Sequence, residues 1–199
     1  GSTTEPYAAT KRYVMIQDET TTDSVPVNYF YSSNDYGFEG LSVGDKITVT
    51  GSWLSEGGET DNPSINATSI ELVSEGATYT DPKASAIVIS SKEQYADLGE
   101  NPDKYTGKLL KFDNPYLAYS TSGEPNPSNW LRFGADSRVD KVGGRSVATL
   151  LGLGNENVDE GWIKHFDIAY SGTEGKQFGG DIYAYLVYRS ASYLQLCIP

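Results

Sequence analysis

Aromatic side chains are the groups in this sequence best suited to meet a ligand. Tyr13, Tyr29, Tyr31 and Trp53 fall on alternating, strand-like segments of the first half. Trp130, Tyr183 and Tyr185 do so in the second half, with Arg132 two positions after Trp130. Flat rings on a strand face stack on nucleobases or on the C–H faces of sugars. The same rings also suit the interior of a small barrel, which is filled by large inward side chains, or a seam between two β units. From sequence, both readings are open for each ring.

Catalytic chemistry finds less support. His165 alternates with Asp167 in a strand-like stretch, so a His–carboxylate pair is available. Nucleophilic catalysis would add a poised Ser or Cys, and the chain has no Gly-x-Ser-x-Gly. Cys197 sits in an apolar run and reads as a buried free thiol behaving as a small hydrophobe. Carboxylate pairs for glycoside hydrolysis are defined by a separation in space, so 27 acidic residues carry no positional signal. Gly143-Gly144 lacks the Lys-Ser/Thr of a phosphate-cradling loop.

Metal chemistry is bounded in the same way. One cysteine and one histidine exclude multi-cysteine zinc sites and His-rich centres. The acidic loop 56–62, and Asp18, Glu19 and Asp23, offer hard oxygens of the kind calcium takes. None has EF-hand spacing, and the stretch from Asn155 to Gly161 places Glu160 where the loop glycine belongs. The expectation is no enzyme, no cofactor and no metal.

Charge narrows the partners. Lys and Arg total 15 against 27 Asp and Glu, a net charge of −12, which opposes broad binding to polyanions. Lys108, Lys111, Arg132, Arg138, Lys141 and Arg145 form a modest basic cluster in the second half, which keeps single-stranded nucleic acid as an alternative ligand. No run of about 18 apolar residues exists, so any membrane attachment would come through a lipid anchor outside this chain.

The elements that must position these groups are strands. Fifteen Tyr, 21 Gly and 9 Pro punctuate short runs of Val, Ile, Thr and Tyr. Strands are expected over 13–18, 25–32, 46–53 and 65–73, then over 107–113, 130–133, 146–153, 162–170, 181–189 and 193–198. Gly51 interrupts its strand as a bulge or barrel corner would. Helical character is confined to 91–105, with Ser91 as N-cap and Gly99 as the stop. The turn Val43-Gly44-Asp45-Lys46, followed by a strand ending at Gly51, is echoed by Val142-Gly143-Gly144-Arg145 and a strand ending at Gly152. Residues 1–4 read as a tether end and are set aside.

The phrase Leu41-Ser42-Val43-Gly44-Asp45-Lys46-Ile47-Thr48-Val49-Thr50-Gly51, preceded by two strands and followed by Ile65-Asn66-Ala67-Thr68-Ser69-Ile70, resembles the OB-fold modules of Bacteroidetes surface lipoproteins. In that family a second barrel introduced by a helix commonly follows, with a phrase like Tyr105-Thr106-Gly107-Lys108-Leu109-Leu110-Lys111-Phe112. The resemblance implies an all-β chain of two tandem OB-like barrels joined by one short helix. The first would span 1–78. The second, with the helix, would span 79–199 and carry an inserted hairpin near 154–180. An OB barrel has five strands, and the first module shows four. Either 7–10 supplies a short first strand, or the first barrel is incomplete and closes on the second.

The functional expectation is a non-enzymatic, extracytoplasmic binding module, periplasmic or at the cell surface. Its ligand would be a glycan or an envelope protein, met by Tyr13, Tyr29, Tyr31, Trp53, Trp130, Arg132, Tyr183 and Tyr185. Asp23-Ser24-Val25 resembles the O-glycosylation signal of such envelope proteins. Asn66-Ala67-Thr68 matches an N-glycosylation acceptor, but inside a strand.

Overall fold

The computed structural model describes residues 12–18, 21–29, 41–55, 57–61, 63–76, 79–119, 130–139, 141–150 and 174–198. Within them the protein is mostly β, with one α-helix and two sheets. The first sheet contains β1 (Arg12–Gln17), β2 (Ser24–Tyr29), β3 (Lys46–Trp53) and β4 (Ile65–Ser74), in the order β1-β2-β4-β3. The β1–β2 and β3–β4 pairs are antiparallel, and β2 meets β4 in parallel through Val27↔Ile65.

Local chemistry explains how β3 starts and bends. Gly44 takes φ 97°, open to glycine, and the Asp45 carboxylate accepts from Ser42 N at 2.8 Å and from Gly76 N at 3.0 Å. One carboxylate thus ties the turn before β3 to the end of β4, and these backbone donors hold its pKa below the usual value. At Thr50/Gly51 the register slips past Thr68, a bulge on β4. A side chain at Gly51 would collide with the Asn66 carbonyl oxygen. The core here is small: Val27, Ala67 and Ile70 are buried, while Ile16, Leu41, Ile47 and Val49 are only partly covered.

The second sheet holds β5 (Ile87–Ile89), β6 (Leu109–Phe112), β7 (Tyr116–Tyr119), β8 (Trp130–Gly134), β9 (Ser146–Leu150), β10 (Lys176–Gln177), β11 (Ile182–Arg189) and β12 (Tyr193–Cys197). Their order is β10-β7-β8-β9-β12-β11-β6-β5. All neighbours are antiparallel except β9–β12 and β5–β6. β6 and β7 lie near opposite ends of this order, yet four peptide steps join Phe112 to Tyr116, a reach of roughly 14 Å at most. The sheet therefore has to curl into a half-barrel. Its interior is packed with Leu110, Phe112, Leu117, Leu131, Phe133, Val147, Leu186, Leu194 and Leu196.

The helix α1 (Lys92–Glu100) covers one end of this core. Ser91 and Gln94 form a reciprocal capping box, and Tyr95 and Leu98 point inward. Tyr95 packs on Phe112 with ring centroids 5.7 Å apart, and Phe112 on Phe133 at 5.1 Å. The helix is shorter than the expected 91–105: it ends at Glu100, and Pro102–Lys104 makes a 3-10 turn. Gly99 does not stop it. That glycine is inside the helix because any side chain there would strike the Val142 carbonyl oxygen.

The two sheets meet along a seam. Leu109, Tyr185 and Val187 of the second sheet are buried there, with the partly buried Met15 of β1, Ala86, Tyr183 and Cys197 packed against them. Ser24 N donates to Gly107 O at 2.6 Å, and Ser24 Oγ donates to Tyr185 Oη at 3.2 Å. Lys108 Nζ reaches both Asp23 carboxylate oxygens at 2.6 Å. Ser24 is 4% exposed, so the hydroxyl of the glycosylation-like triplet is enclosed in the folded protein.

The expected internal echo is not a structural repeat. The strand after Val43-Gly44 is β3, antiparallel to β4, whereas the strand after Val142-Gly143 is β9, parallel to β12. The two turns launch strands with different places in their sheets. Of the region 154–180, the described part is 174–180, where β10 pairs with β7. His165, the stretch 155–161 and the segment 7–10 lie outside the described residues.

Candidate ligand-binding face

The outer face of the second sheet brings together polar and aromatic residues in register. Inward positions are fixed by the buried Leu117, Leu131, Phe133, Val147, Leu194 and Leu196. Alternation then assigns their neighbours to the other face. One row runs Ala118, Arg132, Ala148, Gln195, Tyr188, each opposite the next on adjacent strands. The next pair is Ser146 opposite Tyr193.

Tyr188 and Tyr193 form the aromatic centre of this face. Their ring centroids are 5.5 Å apart at 34°, and both are half-buried. Burial, then the neighbouring Tyr188, push the Tyr193 phenol above its usual pKa. A bulge around Val187 is what turns Tyr188 outward. The register slips between Leu186 and Tyr188, so the face that carries odd positions 183 and 185 continues at 188.

The hairpin turn beside this pair is held from both sides. Ser190 N donates to Tyr193 O at 2.9 Å, and Tyr193 N donates to Ser190 Oγ at 3.2 Å. Arg145 donates from Nε to Ser190 O at 2.8 Å and from Nη1 to Gly99 O at 2.6 Å. One guanidinium thus fixes the turn against the end of α1. Arg132 is half-buried, and the alanines on either side, Ala118 and Ala148, expose 0% and 2% of their surface.

The sequence-derived candidates scatter. Trp130 and Arg132 share β8, two positions apart, so both positions belong to the outer face. Tyr183 and Tyr185 do not join them. Tyr185 is 4% exposed and bonded to Ser24, and Tyr183 packs beside it with Lys83 Nζ 5.4 Å from its ring centroid. The seam between sheets closes Tyr185 to a ligand, which is the structural alternative weighed for these rings. Trp53 ends β3 in the first sheet and is 56% exposed. Tyr13 and Tyr29 are placed on β1 and β2, opposite Asn28 and Arg12 respectively, and Tyr31 lies outside the described residues. Tyr188, Tyr193 and Gln195 were not anticipated.

The basic cluster disperses. Lys108 is paired to Asp23 across the seam, Lys111 to Asp181 at 2.9 Å, and Arg145 is committed to two carbonyls. Among the described residues no group of three or more His, Cys, Asp or Glu side chains is arranged to hold a metal ion. No described helix is long and apolar enough to cross a membrane. Cys197 packs among Leu109, Tyr185 and Val187, and burial pushes its thiol up to about 11. Comparison with protein-family models, with curated proteins and with solved structures gives no match.

Proposed function

We propose that this chain is a non-enzymatic binding module that holds a glycan or protein ligand on the outer face of β8, β9, β12 and β11. The observation that carries the reading is the Tyr188–Tyr193 ring pair at 5.5 Å, level with Gln195 and Arg132 and beside a braced turn. Two tilted rings next to an amide, a guanidinium and Ser146 combine stacking surface with directional donors, which suits a polar ligand with apolar faces.

The strand order supports reading the curled sheet as an OB-like barrel. If β6 and β7 are two halves of one bent first strand, the sequence β7-β8-β9-β12-β11-β6 has the meander, parallel closure and return that an OB barrel uses. The first sheet then corresponds to the second to fifth strands of such a barrel, its β2–β4 pairing being the parallel one. In OB modules this face and the neighbouring loops are where ligands sit. An extracytoplasmic location, with any membrane attachment through a lipid anchor outside this chain, belongs to the same proposal and rests on composition.

The dispersal of Lys108, Lys111 and Arg145 into ion pairs and carbonyl contacts argues against single-stranded nucleic acid. The test is a glycan array read beside fluorescence anisotropy of labelled oligo-dT at low salt, each with wild type and with Tyr188→Ala and Tyr193→Ala. Glycan binding lost in both variants supports the proposal. Oligo-dT binding that weakens steeply with salt replaces it with the nucleic-acid reading.

A further inference from the structure

We infer that Tyr188 and Tyr193 form an oxidative cross-linking site, at which a one-electron oxidant of the haem-peroxidase class joins the two rings as dityrosine and staples β12 to β11. The hairpin itself sets the two phenols side by side. Tyr188 stands opposite Gln195, so Tyr193 is its diagonal neighbour on the same face, a separation that aromatic side chains bridge. The ring centroids are 5.5 Å apart, and the two hydroxyls are hydrogen-bonded to each other. That bond draws the oxygen-bearing edges of the rings together, and with them the carbons ortho to each hydroxyl.

The coupling balances with peroxide as the final acceptor. Each phenol gives one electron and its hydroxyl proton to the oxidant. The unpaired electron left on each ring is shared between the oxygen and the ortho carbons. A carbon–carbon bond forms between one ortho carbon of each ring. The hydrogens on those two carbons then move to the oxygens, which restores both hydroxyls and both aromatic rings. Two electrons and two protons have left the protein, and hydrogen peroxide takes them up to become two waters.

Placement favours this pair. Both rings are half-buried, so each keeps a route to solvent for the electron and proton it gives up. The turn between them is braced by the Ser190–Tyr193 bonds and by Arg145, which holds one ring at a high effective concentration beside the other. Other tyrosines are set differently. Tyr95 packs on Phe112 in the core, Tyr105 donates to Asp97, and Tyr185 is bonded to Ser24. With one cysteine the chain has no internal disulfide, and coupled phenols are a covalent bridge its side chains can make instead. Coupling needs no bound ligand, so it stands or falls apart from the binding function.

Treating the full chain, dilute, with hydrogen peroxide and a haem peroxidase tests the site. The monomer band on a denaturing gel is expected to gain the blue fluorescence of dityrosine and to lose the mass of two hydrogens. Trypsin cuts after Arg189, between the two rings, so the peptide ending at Arg189 and the peptide beginning at Ser190 should stay joined. Tyr188→Phe and Tyr193→Phe each keep a ring in place and should each abolish the joined peptides, while Tyr183→Phe should retain them. Separate peptides from treated wild type, a link that survives either Tyr188→Phe or Tyr193→Phe, or fluorescence confined to a dimer band would each overturn the inference.

Discussion

Asp61 and Arg189 exchange both backbone hydrogen bonds, N to O at 3.0 and 2.9 Å, and pair their side chains across the junction of the two sheets. Asp61 comes from the β3–β4 loop and Arg189 ends β11. The other arm of the guanidinium meets Asp103, beyond α1. Ser55 Oγ donates to Asp61 Oδ2 at 3.1 Å, yet Asp61 Oδ1 and Arg189 Nε are buried with no partner. The pair is thus a fixed point between the units, enclosed and under-satisfied.

Breaking this pair on one side should be severe. Asp61→Ala leaves a buried guanidinium facing only Asp103, and losses of about 3–5 kcal/mol are usual for a stranded buried charge. Asp61→Ala combined with Arg189→Met should lose less than the sum of the single changes. Urea melts of the four proteins in a double-mutant cycle give the coupling, and additive losses would contradict it.

Tyr95 carries the opposite expectation. Its ring is packed in the core, 1% exposed, and its hydroxyl has no hydrogen-bond partner. Burial drives the phenol pKa strongly upward. Tyr95→Phe removes an unsatisfied group and keeps the ring, so stability should stay level or rise by up to about 1 kcal/mol. A loss of that size in a thermal melt would mean that the hydroxyl is satisfied in solution.

Two glycines should resist the smallest substitution. Gly51→Ala would press on the Asn66 carbonyl, and Gly99→Ala on the Val142 carbonyl. Alanine favours a helix by about 1 kcal/mol over glycine, so propensity alone predicts that Gly99→Ala stabilises. The close approach of α1 to the 142–145 turn predicts a loss of about 1–3 kcal/mol instead. The sign of the change in denaturant midpoint decides between them.

Acid should act on the end of α1. Asp97 accepts from Tyr105 Oη at 2.5 Å, Lys104 Nζ at 2.9 Å and Asn101 Nδ2 at 2.7 Å, and its pKa falls to about 2, the tyrosine first among the causes. A carboxyl lowered on folding contributes above its ordinary value of 3.8 and loses that contribution as pH falls toward 2. Wild type and Asp97→Asn should therefore differ most in melting temperature at pH 5 and converge near pH 2. A gap that stays constant over this range would refute the assignment.

Much of the strand framework was legible because Val, Ile, Thr and Tyr alternate between polar turns. The Ser91 cap and the Gly51 interruption were legible because each has a local cause. Other features depend on a second partner. Gly99 looks like a stop until the Val142 carbonyl is seen against it. Tyr183 and Tyr185 alternate as a ligand face would, but this stretch of β11 has the core on one side and the seam on the other. Tyr188 joins the outer face only through the bulge at Val187, which no local residue announces. β7, Tyr-Leu-Ala-Tyr between Pro115 and the segment that follows, is too short for periodicity to mark.

The place of β12 in the second sheet bears on how the chain comes off the ribosome. β12 lies between β9 and β11 and, among the described strands, carries the hydrogen-bonded pairing between the β7-β8-β9 meander and the β11-β6-β5 group. The first sheet has all its described strands once residue 74 has emerged, whereas the second cannot be joined until residue 197 has. During synthesis the apolar faces of the meander wait for their closing strand. A nascent chain stalled before β12 should consequently be open to protease in its second half and resistant in its first.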